Sequence, residues 1–329
     1  MTDENEHLKY RYTTNEDIDE TTAEEDFAEF IPKKPNRQIP HIRTKKLTQS
    51  LHPTTKMQQA VTKDVFAGNT DPNAEFELSV GTKKTPAKAF LNVVNESSSK
   101  KLDWFHIAVH NVVCSFFNAG ETHFTAKMVA KELNQNKPTK NYVKEIEQAL
   151  LQMATTYVNI NHQDQAKQWK KPFADDTSKT VIQFRYMLKM DIDVEVYLNN
   201  TQTNVFMLNE QPPLLEYALM YEQNATLDKH LIDIAGQARI DRTTTAIWQY
   251  LIHRINMLKG KGAVKNNSIL FSTLYDELNL SETERKSEDK RNKIKNKIDN
   301  ILKAFKNNGY IKSYSFQGYT STGKIIIKV

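Results

Sequence analysis

The chain has 329 residues, a formal net charge of +5 and an apolar content of 39%, which is enough length for two domains and a tail. No apolar run approaches the roughly 20 residues of a membrane span, and the acidic N-terminus lacks the pattern of a signal peptide. The single cysteine, Cys114, excludes a disulfide framework and a cysteine-based zinc site. We therefore expect a cytoplasmic protein that does not contact the membrane.

Residues 1–64 predict a tail in two parts of opposite charge. The first 30 residues carry eleven acidic and two basic side chains, and they have too few apolar residues to form a core, so we expect an acidic disordered segment. Residues 31–64 carry eight lysines or arginines and four prolines. Such a basic arm either follows a DNA backbone or is a polar linker that screens the acidic part. Residues 65–101 are predicted to be a poorly ordered linker.

Residues 102–210 predict an N-terminal domain with the order helix, strand, helix, helix, hairpin. Helical spacing of apolar residues and the capping residues Asp103, Thr125 and Thr139 define three helices. The predicted elements are 103–118, 122–124, 125–133, 139–153, and a hairpin of 156–160 with 180–189. This order is typical of a winged helix-turn-helix. Its candidate DNA contacts are Lys140, Asn141 and Lys144 on the third helix, and Lys170 and Lys171 in the wing, where the alternative is a loop folded onto its own domain.

The segment that follows predicts further strand at 191–209 and then a connecting segment, residues 211–240, with a short helix after Pro212. Because this connection contains apolar residues and little glycine, we expect it to join the two halves more stiffly than a Gly/Ser linker.

Residues 241–329 repeat the order of the first half. The predicted elements are helices 243–259, 273–278 and 287–308, a short strand 268–271, and a hairpin of 310–317 with 324–329. The predicted fold class is therefore α+β, with two tandem winged-helix domains after a disordered N-terminal tail.

The long helix 287–308 is the most informative element. Apolar residues at helical spacing predict one buried face, made of Ile294, Ile298, Ile301, Leu302 and Phe305. From Lys290 to Lys312 there are eight basic residues and one acid, a concentration suited to a phosphate backbone. The alternative is a solvated face in a lysine-rich protein. The candidate DNA contacts of this half are Lys286, Lys290, Arg291, Lys293, Asn296, Lys297, Asn300, Tyr319, Thr320 and Lys324.

No signature of catalysis is present in the sequence. It contains neither a Walker A motif nor G-x-G-x-x-G, and the helical pair His106 and His110 lacks a third metal ligand. Acidic clusters fall in the tail, where no rigid scaffold could position a general acid and base. We predict no enzyme activity, no cofactor and no metal.

The paired winged-helix pattern resembles the tandem winged-helix replication initiators of theta-type plasmids. The resemblance covers residues 102–329 and includes Thr243-Thr-Thr-Ala-Ile-Trp-Gln-Tyr-Leu-Ile-His253, Lys297-Ile-Asp-Asn-Ile-Leu-Lys303 and Tyr310-Ile-Lys312. It implies that the C-terminal domain reads repeated origin sequences in double-stranded DNA through Lys290, Lys293, Asn296, Lys297 and Asn300. It also implies that the N-terminal domain dimerises or reads a second half-site, in a homodimer or a monomer–dimer equilibrium, and that the protein recruits a host initiator or helicase at the plasmid or nucleoid.

Two other functions fit the same residues. A winged-helix transcriptional regulator or partition adaptor would bind an operator and need no origin. A protein-interaction module would use the same fold without DNA, and it would show no salt-dependent DNA affinity.

Overall fold

The computed structural model describes residues 47–81, 85–95, 101–133, 137–169, 182–198, 201–259, 267–318 and 322–329. The chain is of the α+β class, and residues His41–Val329 form one compact unit. The acidic segment and residues 31–46 of the basic arm lie outside the described residues. Among the described helices, none combines the length and apolarity needed to cross a bilayer.

The described helices are α1 Lys56–Ala60, α2 Trp104–Asn118, α3 Ala126–Glu132, α4 Lys140–Ala154, α5 Gln163–Gln168, α6 Pro213–Met220, α7 Lys229–Ile232, α8 Arg242–Lys259, α9 Phe271–Glu277, α10 Glu282–Lys286 and α11 Glu288–Asn307. The caps expected from the sequence begin three of them. Asp103 forms a capping box with His106, while the hydroxyls of Thr125 and Thr139 accept backbone N–H groups of α3 and α4.

The described strands are β1 Gln49–Pro53, β2 Phe76–Ser79, β3 Lys88–Asn95, β4 His123–Thr125, β5 Thr156–Asn161, β6 Ile182–Tyr186, β7 Met190–Leu198, β8 Thr201–Leu208, β9 Asn224–Asp228, β10 Ser268–Leu270, β11 Ser313–Gln317 and β12 Lys324–Lys328. They form four sheets, with the orders β1-β9, β2-β3-β5-β6, β4-β8-β7 and β10-β12-β11, and every pairing is antiparallel.

The two three-stranded sheets of the described residues have similar connectivity. In the first half, α2, β4, α3 and α4 are followed by β5, α5 and β6 and then by the hairpin β7–β8, and β4 pairs with β8, as Phe124 does with Phe206. In the second half, α8, β10, α9, α10 and α11 are followed by the hairpin β11–β12, and β10 pairs with β12, as Ile269 does with Ile325. Apart from the inserted elements β5, α5, β6 and α10, the two halves share one order of helices and strands and one pairing of the strand after the first helix.

The hairpin of the first half differs from the one predicted. The predicted strands near 156–160 and 180–189 do pair, as β5 and β6, but they extend a sheet that begins with β2 and β3. The strand β4 pairs instead with β8, so β7 and β8 form the hairpin of the repeated architecture. The physical reason is the alternation in β5, whose buried Val158 and Ile160 lie opposite Val93 and Leu91 of β3.

Residues 47–95 are also more ordered than the predicted tail and linker. The strand β1 pairs with β9 and packs on α2, where the backbone N–H of Leu51 donates to Ser115 at 2.8 Å. The short helix α1 buries Met57 and Gln58, and the Gln58 amide donates to Asn111 of α2 at 2.6 Å. These residues contribute buried apolar side chains such as Met57, Phe66 and Leu91 to the core, and their partners lie far away in the chain.

A shared core joins the two halves along the α2–α8 contact. Trp104 is fully buried, with its ring centroid 5.4 Å from Tyr250 and 5.2 Å from His253 of α8. Its indole N–H donates to Glu277 of α9 at 2.7 Å. At the edge of this contact, Arg242 donates to the Asp103 carboxylate at 2.7 Å. The predicted boundary near residue 240 is therefore crossed by continuous packing.

Candidate nucleic-acid interface

The helix α11 is held by its apolar face, as the sequence predicted. Ser287 caps its first turn by accepting the backbone N–H of Lys290, and Ile294, Ile298, Ile301, Leu302 and Phe305 are all buried. Because 3.6 residues make one turn, burial of this face fixes which side chains of the helix point outward.

The outward face of α11 is rich in asparagine. Six exposed residues recur at spacings that place them on one side of the helix, and we call this surface the amide face: Asn292, Lys293, Asn296, Asn300, Lys303 and Asn307. Within the part of the chain that the structure describes, none of these six side chains takes part in a hydrogen bond or an ion pair. The amide face is thus a run of donors and acceptors open to a partner.

The side chain of Lys297 is bound to other residues of the protein. Its Nζ lies 2.5 and 2.7 Å from the two carboxylate oxygens of Asp241 and 2.8 Å from the hydroxyl of Thr244, at the start of α8. Burial alone would raise the pKa of Asp241, but the hydrogen bond from Lys297 holds it below its usual value. Lys297 therefore fastens α11 to α8, in contrast to the DNA contact predicted for it.

The basic residues before the amide face are tied to α10. Ser287 separates α10 from α11, so Lys286 lies on a different helix from Lys290. Lys290 pairs with Glu284 at 2.9 Å and lowers the pKa of that carboxyl to about 2, while Lys286 pairs with Glu282 at 3.5 Å. Arg291 donates to two backbone carbonyls at the end of α10, so it holds the turn between the helices.

The corresponding helix of the first half, α4, presents a smaller polar face. Lys140, Asn141 and Lys144 are exposed and make no hydrogen bond or ion pair with other described residues. The neighbouring Glu147 accepts a hydrogen bond from Asn204 of β8, so one side of α4 is fixed to its hairpin.

The hairpin contacts are only partly within the described residues. Lys324, half-buried at the start of β12, lies opposite Leu270 and Gln317. Tyr319 and Thr320, and Lys170 and Lys171 of the first half, lie outside the described residues. One unexpected contact links hairpin and helix: the Nζ of Lys295 lies 5.6 Å from the ring centroid of Phe316.

Sequence reasoning missed Asn292, Lys303 and Asn307 of the amide face. Counting steps of three and four residues from Asn296 and Asn300 would have found them, because the three residues share the same side of the helix. It could not have found the internal role of Lys297, whose partners lie more than 50 residues earlier in the chain.

The described residues contain no group of three or more histidine, cysteine, aspartate or glutamate side chains able to hold a metal ion. Both ring nitrogens of His106 are within hydrogen-bond distance of protein groups, Asp103 at 2.7 Å and Gln152 at 3.1 Å. His110 is buried beside Cys114, with Nδ1 3.5 Å from Sγ. The two histidines His106 and His110 therefore contact groups within the protein.

No protein family and no curated protein matches the chain. Two crystal structures of domains 2 and 3 of RctB, one of them a selenomethionine derivative, are similar in outline. The derivative aligns with 10% identity and a TM-score of 0.34 over 84% of this chain and 99% of that chain. The other aligns with 8% identity and a TM-score of 0.36 over 80% of this chain and 96% of that chain. Scores this low do not establish a shared fold, so nothing further about this chain is inferred from them.

Proposed function

We propose that this protein is a sequence-specific DNA-binding replication initiator that reads its target through the amide face of α11. The observation that carries the proposal is the amide face itself, an exposed and unengaged polar surface on a helix whose other side is buried. Side-chain amides and lysines are the groups that contact base edges and phosphates. We assign Lys297 and Arg291 to holding the helix in place.

We further infer that both halves are winged helices. The C-terminal half supports this with its order of α8, β10, α9, α11 and a hairpin, and with the pairing of β10 onto β12. In such domains the helix before the hairpin enters the major groove. The same pairing of β4 onto β8 makes α4, with Lys140, Asn141 and Lys144, the equivalent helix of the first half.

The replication role rests on the sequence resemblance to theta-type plasmid initiators. On the basis of that resemblance, we propose repeated origin sequences as the target. We propose a host initiator or helicase and a second copy of this chain as further partners. A transcriptional regulator would share the DNA-reading helix, so the location of the bound sites separates the two functions.

The direct test is the binding of the full-length protein to DNA from its own replicon, beside unrelated DNA of equal length, across a salt series. We expect affinity to fall steeply with salt and to favour the replicon by about 1000-fold or more. Protection of directly repeated sequence would support the initiator. Protection only upstream of a promoter would favour the regulator, and absence of binding at low salt would overturn the DNA-binding proposal.

Charge reversal at Lys293 and at Lys297 should have different effects, because we propose that Lys293 binds DNA and that Lys297 holds α11 in place. Lys293→Glu is expected to weaken DNA binding at least about tenfold while changing the free energy of unfolding by no more than about 0.5 kcal/mol, because the side chain is exposed and unpaired. Lys297→Glu is expected to destabilise the fold, because it places a second carboxylate against Asp241. Affinity from fluorescence anisotropy and stability from urea unfolding give the two readings.

The control is Lys306→Glu, which makes the same charge change on an exposed residue of α11 outside the amide face. If it weakens DNA binding as much as Lys293→Glu does, the effect is one of net charge and the amide face is not the contact surface.

A further inference from the structure

We propose that the amide face reads adenine bases in the major groove, with Asn296 and Asn300 as its central readers. This inference rests on the proposed function and deepens it, because it names the base that the helix selects. The starting observation is the composition of the face, which has four asparagines, two lysines and no acidic residue. Asp299, the one acid between Asn292 and Asn307, accepts a hydrogen bond from Tyr314 of the hairpin.

The asparagines are unusual at these positions for a reason of helix energetics. Asparagine is among the poorer helix formers, because its short amide competes with the backbone for hydrogen bonds. An asparagine in mid-helix is tolerable when its side chain bonds elsewhere in the protein. Asn292, Asn296 and Asn300 have no such bond with the residues that the structure describes. A merely solvated face would hold its helix better with glutamate, glutamine or alanine, so the amides point to an external partner.

The chemistry of the carboxamide selects adenine among the four bases. Adenine presents an acceptor at N7 beside a donor at N6 in the major groove, and an asparagine side chain matches this pair with one donor and one acceptor. Guanine presents two acceptors, which suit a lysine. Phosphates are a poorer match for neutral amides than for cations, so Lys293 and Lys303 beside the asparagines are the phosphate or guanine contacts of this surface.

The spacing of the two central readers sets a pattern in the target. Asn300 follows Asn296 by four positions, which is a rise of about 6 Å along the helix. Successive base pairs are about 3.4 Å apart along the duplex. A helix lying along the groove therefore places the two amides about two base pairs from each other, and we expect two adenine positions at that separation.

The test uses the full-length protein and a library of random-sequence duplexes. Sites are selected with the wild type, Asn296→Ala, Asn300→Ala and the control Asn118→Ala, an exposed asparagine at the end of α2 far in sequence from the amide face. We expect the wild type and Asn118→Ala to enrich the same adenine positions. Each variant of the amide face should lose preference at one of them, with about a tenfold loss of affinity for the selected site.

A second measurement uses the selected duplex with 7-deazaadenine at each of the two positions. Removal of N7 should weaken wild-type binding about tenfold and leave the matching alanine variant unaffected. The alanine variants should melt at or above the wild-type temperature, because alanine favours helix, so a loss of binding would not reflect unfolding.

Unchanged base preference in both variants, together with tight binding of the wild type, would overturn adenine reading and leave the DNA-binding function standing. Failure of the wild type to enrich or bind any duplex would overturn both.

Discussion

Trp104→Ala is expected to lower the free energy of unfolding by about 4 kcal/mol, a range typical of large-to-small changes at buried aromatic residues. The indole is fully buried between α2 and α8, against Tyr250 and His253. Its loss would also deprive the Glu277 carboxylate, whose side chain is only 9% exposed, of the hydrogen bond that the indole N–H donates. Urea unfolding followed by circular dichroism measures the change.

The matched control is Trp169→Ala, because Trp169 is only partly buried, beside Tyr221. We expect it to cost clearly less than Trp104→Ala. Since the two halves share the core around Trp104, we also expect the wild type to unfold in a single transition. Two separate transitions, with only one of them shifted by Trp104→Ala, would contradict a shared core.

Acidification is expected to unfold the protein near pH 5. Burial lowers the pKa of His52 to about 3 and those of His110, His162 and His253 to about 4. The unfolded chain binds protons on these residues near pH 6.5, whereas the folded chain does not, so stability is complete above that pH and falls as the pH drops toward 4. At pH 5 each residue would contribute a loss of about 2 kcal/mol, which together is comparable with the total stability of a typical protein.

The local structure explains why these histidines stay neutral. No described group accepts from either ring nitrogen of His253, or from Nε2 of His52 and His162, so a charged ring would carry an unpaired buried N–H. The carboxylates act in another pH range. The pKa of Asp103 is held below normal by His106 and Arg242, although burial alone would raise it, and its contribution is lost only below the usual carboxyl pKa.

Denaturant titrations at several pH values give the slope of stability against pH. His253→Gln removes one titrating group and should reduce the slope between pH 6 and 5 by about 1.2 kcal/mol per pH unit. Asn118→Gln, a change at an exposed residue that does not titrate, should leave it unchanged. A flat wild-type profile from pH 7 to 4.5 would show that the histidines are accessible to protons in the native state.

Local signals in the sequence were enough for the helices that carry the site. Asp103, Thr125, Thr139 and Ser287 mark helix starts, and the apolar period of α11 identifies its buried side. These features act within about one turn of helix, so a single sequence contains all the information they need.

Pairing over long distances was beyond the same reasoning. The strand β1 is short and its partner β9 lies in the segment predicted to connect the halves. The strand β4 could have paired with the hairpin β5–β6 or with the hairpin β7–β8, because both have strand-like sequences. The structure pairs it with β8. The engagement of Lys297 by Asp241 is likewise set by the docking of α11 on α8, so the basic composition of α11 overstated how many cations face outward.

The pairing of β1 with β9 also affects how the chain is made. The strand β1 leaves the ribosome about 170 residues before the strand that completes its sheet. At typical rates of synthesis this is a delay of roughly 10 to 30 s, far longer than the time a helix needs to form. During that interval the backbone edge of Gln49–Pro53 stays open to other chains. Translation speed over residues 54–228 is therefore expected to influence how much of the newly made protein reaches its native state.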